Sequence, residues 1–549
     1  MTSLFLVEAL LVGAALLPAA FQRLQLSRAK HRSLAGHSKM AKRFAALIPG
    51  YSYGPAQFFN SDDAPGDIVE LRRRSFETLS STLRQRSAVS LQLTRETQDN
   101  VPDLQFTSAY RVPFQFSAHC REHLPIGAFL ESAGGLHVRD LDGNEYFDLT
   151  GAYGVNVFGV DFYKDCIRQG LLAAEPLGPV LGPYHRCLHY NVRRLRQISG
   201  LDAVSFHMSG TEAVMQAVRL ARHHTGKKRL VRFCGAYHGW WDDVQPGPGA
   251  PISPANTFTL AEMSPRALRV IRSRKDIACV LVNPLQALHP NAAAPGDSTL
   301  VDSSRKAGFD KGAYTRWLRD LRTACDEAGV VLILDEVFLG FRLAPRGAQE
   351  YFGVKADLVT YGKTVAGGLP IGVLCGRRDL MERFDARRPA NICFARGTFN
   401  SHPYVMASME AFLQRLETPP VQELYRNLEE TWNTRAETLN ARLQSEGIPV
   451  RVANLSTIWT VLYDRPSRYN WMFQFYLRLH GIALSWVGTG RLIFPLACQQ
   501  ADFNEIADRF VRAGSQMKAD GWWLSPAPLT NQSIRRRILF EMLRKRLGR

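Results

Sequence analysis

The sequence predicts an α/β protein with a mostly parallel central sheet flanked by helices, a smaller α+β C-terminal domain and an N-terminal apolar helix. Three observations lead there. From Ala203 onward, short apolar runs alternate with helical stretches, the pattern of βαβ units. Two of these runs, 330–335 and 356–361, are continuously apolar, as strands buried on both faces of a parallel sheet are. Each ends in chemistry: Asp335-Glu336 after the first, and Lys363 in a bend rich in glycine (Gly362, Gly367, Gly368) after the second. Ligands of open parallel sheets sit at the carboxyl ends of the strands. A carboxylate and an amine meeting there fit covalent imine chemistry, with the acid tuning an electron-sink cofactor. A structural ion pair at a strand end fits the spacing equally well.

The elements follow in order. Residues 1–35 read as a membrane-anchor or targeting segment. Leu4 to Phe21 is apolar apart from Glu8 and at the short end of what spans a bilayer. Arg23, Arg28, Lys30 and Arg32 follow it, and such positive flanks stay cytoplasmic, which places the body on the cytoplasmic face of a membrane. A monotopic anchor and a mitochondrial presequence compete with this reading, and a soluble cytoplasmic protein is a further alternative. Residues 36–160 form an N-terminal segment. It holds an amphipathic helix over 38–53 ended by Pro49-Gly50, a stretch over 60–125 in which we read no chemistry, and a β-hairpin over 136–149 around Asp142-Gly143.

Residues 161–417 form the large domain. Strands are expected at 203–207, 229–234 and 278–282, with helices at 211–224, 265–273 and 314–328. Residues 418–520 follow Pro419-Pro420 as the small α+β domain. The tail, 521–549, carries SIRRRILFEMLRKRLGR, with Ile534, Ile538, Met542 and Leu547 near one helical face. That pattern fits an interfacial helix on a membrane surface, or a basic helix packed on its own domain.

Composition narrows the function classes. At 549 residues the chain can hold more than one domain, and 46% hydrophobic with 21% charged residues is ordinary for a globular protein. The net charge of +18 is concentrated near the termini, and no nucleic-acid motif accompanies it. The nine cysteines are scattered without a CxxC pair. This favours a reducing compartment and argues against a structural zinc site, and no metal ligand set is read from the sequence.

Four stretches carry the chemistry. In Met208-Ser209-Gly210-Thr211-Glu212 a strand ends and a helix begins, so free backbone N–H groups and two hydroxyls could hold an anion. A plain Ser/Thr helix cap gives the same pattern. In Gly235-Ala236-Tyr237-His238-Gly239 an aromatic follows a strand end and could stack on a flat ring. Asp335 could pair with a protonated ring nitrogen, and Lys363 could form the imine.

With these stretches in this order, HMSGTEAVMQAVRLARHHTGKKRLVRFCGAYHG, LILDEVFLGFR and GAQEYFGVKADLVTYGKTVAGGLPIG, the chain resembles a class III pyridoxal-phosphate-dependent aminotransferase. It is most similar to the glutamate-1-semialdehyde aminomutase branch, over about residues 125–515 with a further match near 38–52. The resemblance implies a PLP fold type I homodimer with shared active sites and pyridoxal 5′-phosphate as cofactor. It implies that Ser209, Gly210 and Thr211 cup the phosphate. Tyr237 would stack on the ring with His238 beside it, Asp335 would hold the ring nitrogen protonated, and Val337 would pack behind. Lys363 would bind the cofactor covalently and then shuttle a proton. Gln286 would sit near the phenolic oxygen, and Thr398, after Gly397, would reach the phosphate of the neighbouring subunit.

Two departures stand out. Asn283 replaces the family's usual acid in VLVNPLQ. Arg491, in GRLIFPL, looks like the RxxxPL segment of true class III transaminases, where arginine forks onto the substrate carboxylate. Arg491 therefore tilts the reading toward transfer from an amino-acid donor, glutamate or alanine, to a carbonyl acceptor. Tyr153, Trp240 and Trp241 are candidate pocket residues. An intramolecular aminomutase is the second reading, and a membrane-associated non-catalytic scaffold the alternative of another class.

Overall fold

The computed structural model describes residues 17–547 other than 246, 248, 253, 293–299 and 526–528. The chain divides into two compact units. The first comprises Met1–Ala46, Arg168–Ala293 and Asp310–Gln414, and the second Leu47–Ile167, Ala294–Phe309 and Arg415–Arg549.

The first unit is built on a seven-stranded sheet. Its strands are β1 (Ala203–His207), β2 (Arg229–Phe233), β3 (Thr257–Leu260), β4 (Ile277–Val282), β5 (Val331–Asp335), β6 (Leu358–Gly362) and β7 (Gly372–Gly376). They lie in the order β1-β7-β6-β5-β4-β2-β3. Only β7 runs against its neighbours, β1 and β6, and the remaining pairs are parallel. β4, β5 and β6 are buried along their whole length, as their unbroken apolar runs require. Helix α1 (Gly210–Thr225) packs Val214, Ala217, Val218 and Ala221 into the same core as Leu230, Leu281, Ile333, Leu358 and Leu374. Two strands were not expected from the sequence. β3 is only four residues long, and β7 carries Gly372 and Gly376 at its ends, a composition that weakens a strand signal.

Beyond β3 a buried pair supports this unit. Glu262 is almost fully buried, accepts a 2.7 Å hydrogen bond from the Tyr314 hydroxyl, and has no partner at Oε2. Burial holds its carboxyl up at about 8, against an ordinary 4.5, and the Tyr314 bond opposes this only in part. Between those two values the folded chain keeps a proton that the unfolded chain has lost. Stability from this group is therefore complete below 4.5, falls as pH rises and is gone above 8. Glu262→Gln is expected to flatten the fall of the urea midpoint between pH 5 and 8. An unchanged slope in the variant would assign the pH dependence to other groups.

The second unit holds the hairpin, with His137–Asp140 antiparallel to Glu145–Asp148, an added strand at Leu130–Gly134, and Ile482–Ala483 parallel to the far side. A second small sheet pairs Val450–Leu455, Ile458–Tyr463 and Leu492–Ile493. Helices Gly66–Arg86, Ala88–Gln98 and Phe114–His123 occupy the stretch in which we read no chemistry.

The terminal segments require correction. Most of the expected apolar helix, residues 4–16, lies outside the described residues. Among the described residues no helix is long and apolar enough to cross a membrane. Residues 17–29 are helical, and their end is docked: Ala29 is fully buried and its carbonyl accepts from the Ala261 backbone N–H at 2.8 Å. The tail forms α2 (Asn531–Arg546), which packs on its own unit. Ile534 is buried, Arg535 pairs with buried Asp302 at 3.0 Å, and Arg537 pairs with Asp63. Glu541 accepts from the hydroxyls of Tyr51 and Tyr53 at 3.0 and 2.5 Å. The acidic and phenolic partners, more than two hundred residues away in sequence, decide the inward face. Of the expected apolar face, Ile534 is buried, Ile538 and Met542 are half-buried and only Leu547 is exposed, while Leu539, Phe540 and Leu543 are exposed elsewhere on the helix.

Candidate active site

The site lies in the first unit, at the carboxyl ends of its parallel strands. Ser209 caps α1: its Oγ accepts from the Glu212 N–H at 3.3 Å, while the Glu212 carboxylate accepts from Met208 N–H at 2.9 Å. The first turn of α1 is thus fixed from both sides, and its remaining N–H groups are available to an anion. Glycines let the surrounding loops close in. A Cβ on Gly372 would lie 2.0 Å from the Ser209 carbonyl oxygen, and one on Gly210 would lie 2.6 Å from Val337 Cγ1. Gly239 has φ +98°, and a Cβ there would meet Thr211 Oγ1 at 2.4 Å. Ser209, Gly210, Thr211, Val337 and the 235–239 loop are therefore in mutual contact.

Asp335 ends β5 and is buried. Its Oδ2 accepts from His238 Nδ1 at 2.7 Å, and its Oδ1 accepts from Val337 N–H at 3.2 Å and Thr360 Oγ1 at 3.3 Å. Asp335 is thus ion-paired with His238. Burial presses the His238 pKa down, against the pull of Asp335, and leaves Nε2 buried without a partner. Tyr237 is 63% exposed. Its backbone carbonyl accepts from Asn283 Nδ2 at 2.9 Å, and Asn283 Oδ1 accepts from Leu285 N–H at 3.1 Å. An ionised acid at 283 could not donate the first of these bonds. The departure at Asn283 therefore ties the Tyr237 loop to the turn Pro284–Leu288, which carries Gln286. Gln286 Nε2 donates to the Gly235 carbonyl at 2.8 Å, and its Oε1 is buried without a partner.

Lys363 follows β6 directly in a left-handed backbone, φ +51°, a conformation that non-glycine residues keep only where their surroundings enforce it. It is half-buried, with Nζ 5.8 Å from the centre of the Phe338 ring. Gly397 and Thr398 are exposed. Of the pocket candidates, Trp240 is exposed while Trp241 is partly buried against the hydrophobic core of this unit.

Tyr153 and Arg491 belong to the second unit. Tyr153 is partly exposed and, like Ala152 before it, has a positive φ. Arg491 is partly buried, and burial brings its guanidinium down to about 10. Arg305, which the sequence reading passed over, lies close enough to Arg491 to be lowered by it as well as by burial. It donates to the Gly490 carbonyl at 2.7 Å and so holds the turn before Arg491. The segment around Arg305 contains no regular element that would have drawn attention to it.

A lysine at one strand end, a carboxylate–imidazole pair at the next and a helix-capped anion cup beside them define an enzyme that works through a pyridoxal-phosphate cofactor. The structure fits that group on its own terms: Gln286 Oε1 and His238 Nε2 are buried polar atoms in want of partners, and the cup is walled by glycines where side chains would intrude. Residues 118–244 and 263–513 match the family model for class III aminotransferases. The chain is 33% identical to a glutamate-1-semialdehyde 2,1-aminomutase of Methanocaldococcus jannaschii over 357 residues, 62% of this chain and 77% of that one. A solved transaminase with pyridoxal phosphate bound superposes with a TM-score of 0.59 at 28% identity, covering 76% of this chain and 94% of that one. A glutamate-1-semialdehyde aminomutase from Pseudomonas aeruginosa shares the fold, with a TM-score of 0.64 at 18% identity, over 82% of this chain and 99% of that one. The chain belongs to the class III aminotransferase family, and its cofactor is pyridoxal 5′-phosphate.

Proposed function

We propose that this enzyme is a transaminase that moves an amino group from an amino-acid donor, glutamate or alanine, to a hydrophobic carbonyl acceptor. The donor product leaves before the acceptor binds, a ping-pong order. Arg491 is the observation that carries this reading over a mutase: a planar fork suited to a donor's carboxylate, set in a segment held by Arg305.

The bound cofactor supplies an electron sink for a carbanion at the substrate Cα. Ser209, Gly210 and Thr211, with the first N–H groups of α1, hold its phosphate. Tyr237 would stack on the ring and Val337 would pack behind it. Asp335 keeps an acceptor position for the ring nitrogen, because an ionised carboxylate offers about four lone-pair sites and three are taken. His238 orients Asp335 through its hydrogen bond, and Gln286 would sit near the phenolic oxygen. Lys363 anchors the cofactor and moves the proton at Cα. Thr398 is exposed and would serve the phosphate site of a second copy, which would make the active unit a homodimer. Tyr153 borders the substrate. α2 is docked on its own unit, and residues 4–21 are the terminal feature that suggests a lipid-like acceptor. Unchanged membrane fractionation after deletion of residues 1–35 would remove it.

An intramolecular aminomutase is the second reading, favoured by the 33% identity to the archaeal mutase. A screen of carbonyl acceptors with and without glutamate or alanine separates the two. Transamination requires the donor and releases its 2-oxo acid, whereas a mutase turns over one substrate alone. Arg491→Lys is expected to raise the donor KM about 10- to 100-fold, the cost of a lost charge-assisted pair of hydrogen bonds. A donor KM that does not move would count against the carboxylate role.

A further inference from the structure

We infer that His119, Glu122 and His123 form a binding site for a divalent transition-metal ion, Zn²⁺ being the best match, on the helix Phe114–His123 of the second unit. Residues four apart on a helix stand one above the other on the same face, and the residue at i+3 lies beside them. His119, Glu122 and His123 have this spacing, and one ligand atom from each lies within 4.8 Å of the others. The two imidazoles are 4.2 Å apart between ring centres, and Glu122 Oε2 is 3.8 Å from His123 Nε2. Among the described residues neither imidazole makes a hydrogen bond, so their lone pairs are not already engaged.

The site is also held in place. His119 stacks on Phe76 at 5.4 Å and 21° and is flanked by Phe58 at 4.3 Å and Phe59 at 5.9 Å, a cage that restricts its rotamer. The end of the helix is pinned from Gly66–Arg86: Ser80 Oγ donates to the His123 carbonyl at 2.5 Å and Arg84 donates to that of Glu122. The ligands sit in the last turn, where the helix dipole favours a cation. Two imidazole nitrogens and a carboxylate oxygen suit a borderline ion bound at about 2.0–2.2 Å, with water in the remaining position. Glu122, whose side chain is 73% exposed, and the partly exposed His123 can move the short distance that closes the shell. Cys120 is buried and takes no part. Scattered cysteines argued against a structural zinc site in the sequence, but these ligands are histidines and a glutamate.

The test uses the full chain with its cofactor, stripped by a chelator and dialysed. Zn²⁺ binding is measured by calorimetry and Co²⁺ binding by absorption, for the wild type, His123→Ala and Glu122→Gln. His123 meets the cage only through Phe76, edge-on at 6.0 Å between ring centres, and thermal unfolding without metal checks that the fold survives its loss. We expect one equivalent in the wild type and a cobalt spectrum of nitrogen and oxygen ligands. A residue that touches the metal should matter at least as much as the groups that hydrogen-bond to such ligands, whose loss costs about 10- to 100-fold, so His123→Ala should weaken binding by at least that much. Glu122→Gln should weaken it less. A metal-dependent rise in unfolding temperature should appear in the wild type and vanish in His123→Ala. Equal uptake by wild type and His123→Ala, a thiolate cobalt spectrum, or no uptake by the wild type would each overturn the site.

Discussion

Replacing Lys363 by alanine is expected to cut kcat by at least about 10²- to 10⁴-fold, the usual worth of a positioned proton-transfer group, before counting the loss of covalent attachment. The fold should survive. Lys363 is only half-buried, and alanine inherits the same left-handed backbone, so the substitution neither opens a large cavity nor adds strain. Two measurements check this. Wild-type enzyme treated with borohydride after reconstitution should carry the cofactor on the peptide containing residue 363, as mass spectrometry reads it. Lys363→Ala should carry none, and added primary amine should restore part of its turnover. Activity within tenfold of wild type would remove Lys363 from the chemistry, and with it the reading of the 330–370 stretch.

The second large effect concerns stability. Arg72 is fully buried and grips Asp62 with both arms at 2.7 and 2.9 Å. It also donates to the backbone carbonyls of Phe59, Gly521 and Leu524 at 3.1, 2.9 and 2.6 Å, and its guanidinium lies 4.5 Å from the centre of the Tyr469 ring. Removing one partner of a buried ion pair strands the other, at a cost of about 3–5 kcal/mol. Arg72→Met should therefore lose about that much in urea unfolding of the second unit, a large share of the 5–15 kcal/mol typical of a domain. The double variant Asp62→Leu with Arg72→Met should recover part of it, because no charge is then left buried. A loss below about 1 kcal/mol would show that water reaches Asp62.

These two residues differ in how far the sequence reveals them. Lys363 is visible because its signal is local: an apolar run, a lysine and glycines within a dozen residues. The same holds for Ser209-Gly210-Thr211, where strand end, glycine and helix start adjoin. Arg72 sits in an RRR run that reads as a solvated helix face, and only contacts at residues 59, 62, 469, 521 and 524 single it out. Asn283 looked like a lost acid, yet its amide joins two loops that the sequence keeps 46 residues apart.

The sequence by itself determined the parallel core of the sheet, the order of its chemistry-bearing strand ends and the family, because buried strands and tight bends restrict residue type over a few neighbouring positions. Only the tertiary structure decided that Asp335 pairs with His238, that α2 lies on its own unit through Asp63, Asp302 and Glu541, and that His119 stands caged beside His123. Each of those outcomes depends on which of many available charges and rings meet across long sequence separations. Burial and geometry, not local pattern, make that selection.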